Sequence, residues 1–330
     1  MAQESKAEKA LLLLNQKSEK ALAVFQQLAN ENKFGTGKID KAIDQYLSRW
    51  KDSTRPGVLA MASEAVGGKL EDIVPLQVAL SFIDVTMDIH DDIIDGSLSK
   101  KNIKTPYGKL GLEVTLLIGD EYMTRSFYYL HQCISKLPND RQELIMKIMN
   151  SFLAEVVNAH ISEVQLKKVR WSVKPETYLH ILTKKAAEIE GRMKIGAIYS
   201  GGSGEEIEAI GLYGRNLGIL FAIRAEFTDL FEPDELSDRI KNGSLPLQLL
   251  YALQNKNYSP KIRAILSKDK ISVNDSRDLL QIIQETKTLP LLMKYLKKIE
   301  KEAIQALHKL KSEKERSSLE LVIASMLEDL

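Results

Sequence analysis

Cysteine is almost missing from this chain of 330 residues: Cys133 stands alone, so no disulfide can form within it and no thiolate cluster can hold zinc. Aromatic side chains make up only 6 %, and 46 basic residues against 45 acidic ones leave a net charge of +1. So weak a field and so few stacking faces exclude a nucleic-acid surface. No stretch reaches the ~18 uninterrupted apolar residues of a membrane span. The first residues, Met1 to Lys9, are polar, and the apolar run Leu11 to Leu14 behind them is too short for a secretion signal. These absences lead to the expectation of a cytoplasmic protein without a transmembrane segment. Proline is scarce as well, at nine residues, which leaves room for long helices.

What is present is the composition of an ordinary globular protein, 44 % hydrophobic and 28 % charged. Leu11, Leu14, Ala21, Val24, Phe25 and Leu28 recur at helical spacing, predicting an amphipathic N-terminal helix within residues 1–35 that ends near Gly35 and Gly37. Thr54-Arg55-Pro56 opens the next helix, since proline suits a first turn, and Gly67-Gly68 stops it. A third runs from Glu71 to about Asp95, closed by Gly96 and Ser97. Further helices are predicted over 110–137, 140–168, 175–199 and 205–231, and residues 245–330 read as helical again. The fourth of these carries Gly211, Gly214 and Gly218, which cost about 1 kcal/mol each against alanine unless close packing returns it. Strand alternation, low-complexity linkers and short repeats are absent. The expected fold is all-α: one domain over 1–330, a large helical bundle with a deep central cavity.

Asp91, Asp92 and Asp95 crowd the C-terminal end of the third predicted helix. Side chains three and four residues apart share a helix face, so Asp95 lies near both of the others. Their mutual repulsion is compounded by the helix dipole, which disfavours anions at that end. Magnesium answers this arrangement, taking one or two carboxylates and keeping positions for water and substrate phosphate. Asp84 and Asp88 extend the stripe upstream. No histidine lies at ligand spacing from His90, and neither a Ser-His-Asp pattern nor a glycine-rich nucleotide loop is found.

The run His90-Asp91-Asp92-Ile93-Ile94-Asp95-Gly96-Ser97-Leu98-Ser99-Lys100-Lys101 resembles the first aspartate-rich motif of the all-trans prenyl diphosphate synthases, with Lys100-Lys101 where that family has an arginine pair. Lys104-Thr105-Pro106 and Gly119-Asp120 resemble the turn and the helix start that follow. Thr54-Arg55-Pro56 resembles the end of an upstream Gly-Gly-Lys-Arg-x-Arg-Pro motif. Thr183-Lys184-Lys185-Ala186-Ala187 is similar to the lysine segment that contacts the allylic diphosphate, and Phe221 to Asp229 aligns with the second aspartate-rich motif. Leu245-Pro246-Leu247 continues the order, so the matches span about residues 40–255.

The resemblance implies the isoprenoid (class I terpenoid) synthase fold, usually dimeric, and an Mg2+-dependent reaction. An allylic prenyl diphosphate ionises, isopentenyl diphosphate adds head to tail through its double bond, and a proton is lost. Carried over by position, Asp91, Asp92, Asp95, Glu226 and Asp229 are expected to hold metal. Arg55, Lys100, Lys101, Lys184 and Arg224 are expected at substrate diphosphate. If the chain elongates, Ile83, Thr86 and Met87, just before the acids, lie along the growing product and Met87 limits its length.

Departures from the family pattern keep several readings open. The second motif has Ala225, Glu226 and Asp229 in place of two adjacent acids and a third, and an Arg-Glu salt bridge without metal competes with a metal site there. Trp50-Lys51-Asp52-Ser53 replaces Gly-Gly-Lys-Arg, and Asp84 stands where histidine or glutamine is usual, so the isopentenyl site has lost cations and gained acids. Glu188, Glu190, Arg192 and Lys194 form either an internal polar network or part of a subunit interface. The first reading is a prenyl diphosphate synthase, as a homodimer. The second is a non-catalytic or regulatory subunit in a heteromer with a family homologue. The third is a terpene-synthase-like enzyme that ionises the allylic diphosphate without elongating it.

Overall fold

The computed structural model of the chain describes residues 4–31, 33–100 and 103–328. In chain order its helices are α1 (Lys6–Glu31), α2 (Gly37–Leu47), α3 (Thr54–Ala65) and α4 (Leu70–Ile94), followed by a two-stranded ribbon of β1 (Ser99–Lys100) and β2 (Ile103–Lys104). Next come α5 (Pro106–Leu110), α6 (Leu112–Ile134), α7 (Asn139–Leu166), α8 (Pro175–Lys185), α9 (Ala187–Tyr199) and α10 (Gly204–Asp229). The chain closes with α11 (Pro233–Lys241), α12 (Leu247–Leu253), α13 (Ser259–Leu266), α14 (Val273–Glu285), α15 (Thr288–Leu307) and α16 (Glu313–Ser325).

Two compact units form. The first takes Met1–Lys147, Ile195–Ile207 and Lys311–Ser318; the second takes Ile148–Lys194, Glu208–Leu310 and Leu319–Leu330. Helices α7, α9, α10 and α16 each contribute residues to both.

In the first unit α4 is the axis. It is long and apolar enough to cross a membrane by length and composition, with mean hydropathy 1.3, but 78 % of that stretch is buried against protein. A core helix of this kind hides its apolar side chains in packing instead of lipid. Phe25 of α1 meets Phe82 of α4 at 4.8 Å and Trp50 at 5.1 Å between ring centroids, and Tyr122 of α6 completes the cluster. Gly119 lets α6 approach α4: a Cβ there would sit 2.4 Å from His90 Nε2. A cavity of about 590 Å³ opens beside Val24, Leu28, Val74, Val78, Tyr129 and Cys133. Burial pushes the Cys133 thiol up to about 11, which favours its protonated form at neutral pH.

In the second unit the glycines of α10 recover their cost through close approach. A Cβ on Gly218 would lie 2.9 Å from that of Ala186, and one on Gly214 would lie 3.0 Å from Glu190 Cα. Tyr213 is fully buried and its hydroxyl donates to Leu319 O at 2.8 Å. Glu190 accepts from Arg215 and pairs with Lys194, while Arg192 meets Glu188, so each of the four charges has a partner within the unit.

The structure departs from the predicted elements at three places, two of them by adding an element that was not expected. Residues 37–47 make a helix of their own, the span 175–199 is two helices with a turn at Ala186, and a short ribbon follows α4.

Candidate active site

The first acid cluster sits on a well-made helix end. Asp95 is the last residue in the helical region, and Gly96 follows with φ +65°, a left-handed conformation that glycine adopts without steric cost. Gly96 N donates to Ile93 O and Ser97 N to Asp92 O at 2.8 Å, which satisfies carbonyls the helix would otherwise leave open. The chain then turns back. Thr105 caps α5 by accepting from Gly108 N at 3.0 Å, and its hydroxyl donates to Ser97 O at 2.7 Å. Pro106 fills the first turn of α5, where its missing N–H costs nothing. The Lys104-Thr105-Pro106 signature is therefore the clasp that folds the β1–β2 ribbon over the end of α4.

That clasp delivers Lys100 to the acids. Its Nζ lies 2.7 Å from Asp92 Oδ1, with the lysine side chain 52 % exposed and Asp92 buried. Burial nevertheless raises the Asp92 pKa: Lys100 opposes the rise, and Asp91 and Asp88 add to it. Asp91 and Asp95 are half-buried beside Asp92. Lys101 lies outside the described residues.

One to two turns upstream, Arg55 is surrounded by acids. Its Nη1 lies 3.0 Å from Asp52 Oδ2 and 3.3 Å from Asp88 Oδ1, and its Nε lies 3.9 Å from Asp84 Oδ1. Asp84 is completely buried. Trp50 Nε1 donates to Asp88 Oδ2 at 2.8 Å, and Asp52 also accepts from Thr54 N at 2.8 Å, capping the start of α3. Among the chain-length candidates, Ile83 and Thr86 are buried, and the Thr86 hydroxyl donates to Gly119 O at 3.0 Å. Met87 is half-buried one turn before Asp91.

In the second unit, Glu226 and Asp229 lie at the C-terminal end of α10, but an arginine from the next helix holds them. Arg239 Nη2 donates to Glu226 Oε1 at 2.7 Å and Nη1 donates to Asp229 Oδ2 at 2.8 Å. Glu226 also accepts from the Tyr178 hydroxyl, and its second oxygen accepts from Leu247 N at 3.0 Å. Burial opposes the charge on Arg239, yet Glu226, Tyr178 and Asp229 together raise its pKa. Lys185 pairs with Glu163, whose Oε1 also lies 3.1 Å from the Tyr178 hydroxyl oxygen. Lys184, its half-buried neighbour, makes no ion pair among the described residues. Arg224 turns elsewhere: its Nη1 donates to Ser325 O and Met326 O at the end of α16.

Sequence reasoning missed Arg239 and Tyr178. Both lie far along the chain from Glu226, beyond the reach of helical spacing, and the one local hint was a lone arginine in the polar helix α11.

Carboxylate oxygen is the ligand magnesium prefers, so Asp91, Asp92 and Asp95 fit the ion by donor type. Among the described residues no group of three His, Cys, Asp or Glu side chains is gathered closely enough to hold a metal, and at the first motif Lys100 occupies Asp92. At the second motif the fit fails, because both acids already share a guanidinium.

Residues 37–283 match the family described as polyprenyl synthetase. A geranylgeranyl diphosphate synthase of Methanosarcina mazei is 27 % identical over 241 residues, covering 67 % of this chain and 73 % of that one. A short chain isoprenyl diphosphate synthase of Methanothermobacter thermautotrophicus is 28 % identical over 237 residues, covering 68 % and 70 %. The fold resembles the crystal structure of geranylgeranyl pyrophosphate synthetase from Pyrococcus horikoshii, with TM-score 0.84, 22 % identity, and 98 % and 99 % of the two chains covered.

Proposed function

The chain belongs to the polyprenyl synthetase family and is a prenyltransferase, and from that premise we propose that it extends an allylic prenyl diphosphate with isopentenyl diphosphate. The observation that carries this reading is the acid cluster at the capped end of α4, where Asp91, buried Asp92 and Asp95 stand together and Lys100 lies 2.7 Å from Asp92. Asp91, Asp92 and Asp95 would hold magnesium, which when bound offsets the charge of the departing diphosphate. Lys100 would donate to the allylic diphosphate oxygens and Arg55 to the isopentenyl diphosphate; Lys101 and Lys184 are assigned to the allylic diphosphate by the family pattern alone, while Arg224 stays with the α16 carbonyls. In the reaction the allylic C–O bond breaks with both electrons leaving on diphosphate. The double bond of isopentenyl diphosphate then forms the new C–C bond, and a proton departs to restore an alkene.

The proposal keeps the two units as parts of one isoprenoid-synthase-type domain. It also pairs the chain with a second copy, supported by Leu112, Leu116, Leu117, Phe127 and Tyr128, large apolar side chains exposed on α6. Light scattering on the eluted protein tests this; a monomer at working concentration contradicts it.

A second reading, a subunit that needs a family homologue, is favoured by Arg55. A cation shared among Asp52, Asp84 and Asp88 has little charge left for a diphosphate. One experiment separates the readings: pure protein with Mg2+ and geranyl, farnesyl or geranylgeranyl diphosphate, with and without isopentenyl diphosphate. Longer diphosphates support the proposal. Silence relieved by a co-expressed homologue supports the second reading, and hydrocarbons or alcohols formed without isopentenyl diphosphate mark a terpene-synthase-like activity.

A further inference from the structure

We infer that the second acid pair, Glu226 and Asp229, takes no divalent ion, because Arg239 is its permanent counter-charge. The inference stands on the geometry of the second unit and does not need the elongation reading.

Two anions at the C-terminal end of α10 require positive charge, since the helix dipole and their mutual repulsion both oppose them. A metal could supply it, but the chain supplies its own. After Asp229 it turns through Phe231 and Glu232, and Pro233 starts α11, which carries Arg239 back to the acids. The guanidinium spans the pair as a fork, one Nη to each carboxylate, at 2.7 and 2.8 Å. Such planar two-point pairing belongs to arginine, which never gives up its proton at accessible pH.

The surroundings leave the ion no room to replace it. Glu226 is buried, with one oxygen shared between Arg239 and the Tyr178 hydroxyl and the other held by Leu247 N. The Tyr178 hydroxyl and Ser244 Oγ also lie within hydrogen-bond reach of Arg239 Nη2, at 3.2 and 3.4 Å. Magnesium demands a near-octahedral shell and surrenders its waters reluctantly. To bind here it would have to break four contacts to Glu226 and Asp229 and share the site with a fixed cation. Arg239 is thus a positioning residue: it locks α10, α11 and the start of α12 into one arrangement through the acids that a metal would otherwise hold.

The test is a Mn2+ titration followed by electron paramagnetic resonance, in the presence of inorganic diphosphate, on the wild-type chain, Asp229→Asn and Arg239→Gln. The expected result is equal Mn2+ stoichiometry for wild type and Asp229→Asn. Arg239→Gln should bind one further ion, or the same ions at least tenfold more tightly, and adding Asp229→Asn should remove that gain. Loss of an ion in Asp229→Asn overturns the inference, as does a folded Arg239→Gln that gains nothing. Should Arg239→Gln fail to fold, the comparison of wild type with Asp229→Asn decides alone. Absence of Mn2+ from wild type and Asp229→Asn alike leaves this inference supported and contradicts the magnesium assignment at Asp91, Asp92 and Asp95.

Discussion

At the end of α4 the acids meet a lysine on an exposed ribbon; at the end of α10 they are gripped by an arginine fork from the next helix. Both units therefore bring carboxylates to a helix C-terminus and turn the chain back to offset them. Lys100 makes one contact, to Asp92, from a side chain 52 % exposed. Arg239 makes one to each of two acids from a side chain 22 % exposed, with Tyr178 and Ser244 beside it. A flexible ammonium on a short ribbon is easily drawn away by a competing ion or diphosphate, whereas a half-buried fork tied to two acids is not. That difference is why the proposed chemistry is placed at the first cluster and a positioning role at the second.

The largest effect should come from neutralising the first cluster. Asp92→Asn is expected to lower product formation by about a thousandfold, in line with loss of a principal charge-stabilising group, while circular dichroism and melting stay near wild type. A variant that loses less than tenfold would place the chemistry elsewhere.

Arg239→Gln should act on stability instead. It strands buried Glu226, and breaking a buried ion pair on one side costs about 3 kcal/mol. Urea denaturation reads this directly, and an unchanged midpoint would mean that the fork holds nothing together.

Asp84→Gln probes the acid-bound Arg55. Removing a buried carboxylate 3.9 Å from Nε releases positive charge toward a diphosphate, with an expected fall in KM for isopentenyl diphosphate of about tenfold, or ~1.4 kcal/mol. A rise in KM would show that Asp84 helps to place Arg55.

Acidification should move the two sites in opposite directions, and this is the smallest effect. Asp92 has a raised pKa, so the folded chain takes its proton first; its contribution to stability grows as pH falls through that raised value toward the ordinary 3.8. For Glu163, burial raises the pKa but Lys185, Arg239 and His160 together hold it below 4.5, so its stabilisation is present above 4.5 and is lost as pH falls through the lowered value. Hydrogen exchange in α4 and α8 on acidification measures both, and Asp92→Asn should flatten the α4 response alone.

Much of this was legible where the signals are local. The predicted helix from Glu71 to about Asp95 is α4, because apolar periodicity and Gly96 mark its course and end. The family resemblance rests on side chains that the β1–β2 clasp explains, Thr105 and Pro106 among them. Helix α2 escaped because Gly35 and Gly37 look like the close of a helix, although Gly37 begins one. The turn at Ala186 has neither glycine nor proline to announce it. Long-range partners were hidden altogether: nothing near Arg224 points to the α16 carbonyls about a hundred residues away, and nothing near Glu226 points to Arg239. Periodicity reports which face is buried and says little about which charge will meet which.

The central claim is that this chain joins isopentenyl diphosphate to an allylic diphosphate by means of the first acid cluster. Its most direct test is incorporation of labelled isopentenyl diphosphate into longer prenyl diphosphates by the purified protein with Mg2+ and geranylgeranyl diphosphate. The account predicts labelled product from wild type, lost in Asp92→Asn and retained in Asp229→Asn; no incorporation by folded wild-type protein, or loss in Asp229→Asn equal to that in Asp92→Asn, would contradict it.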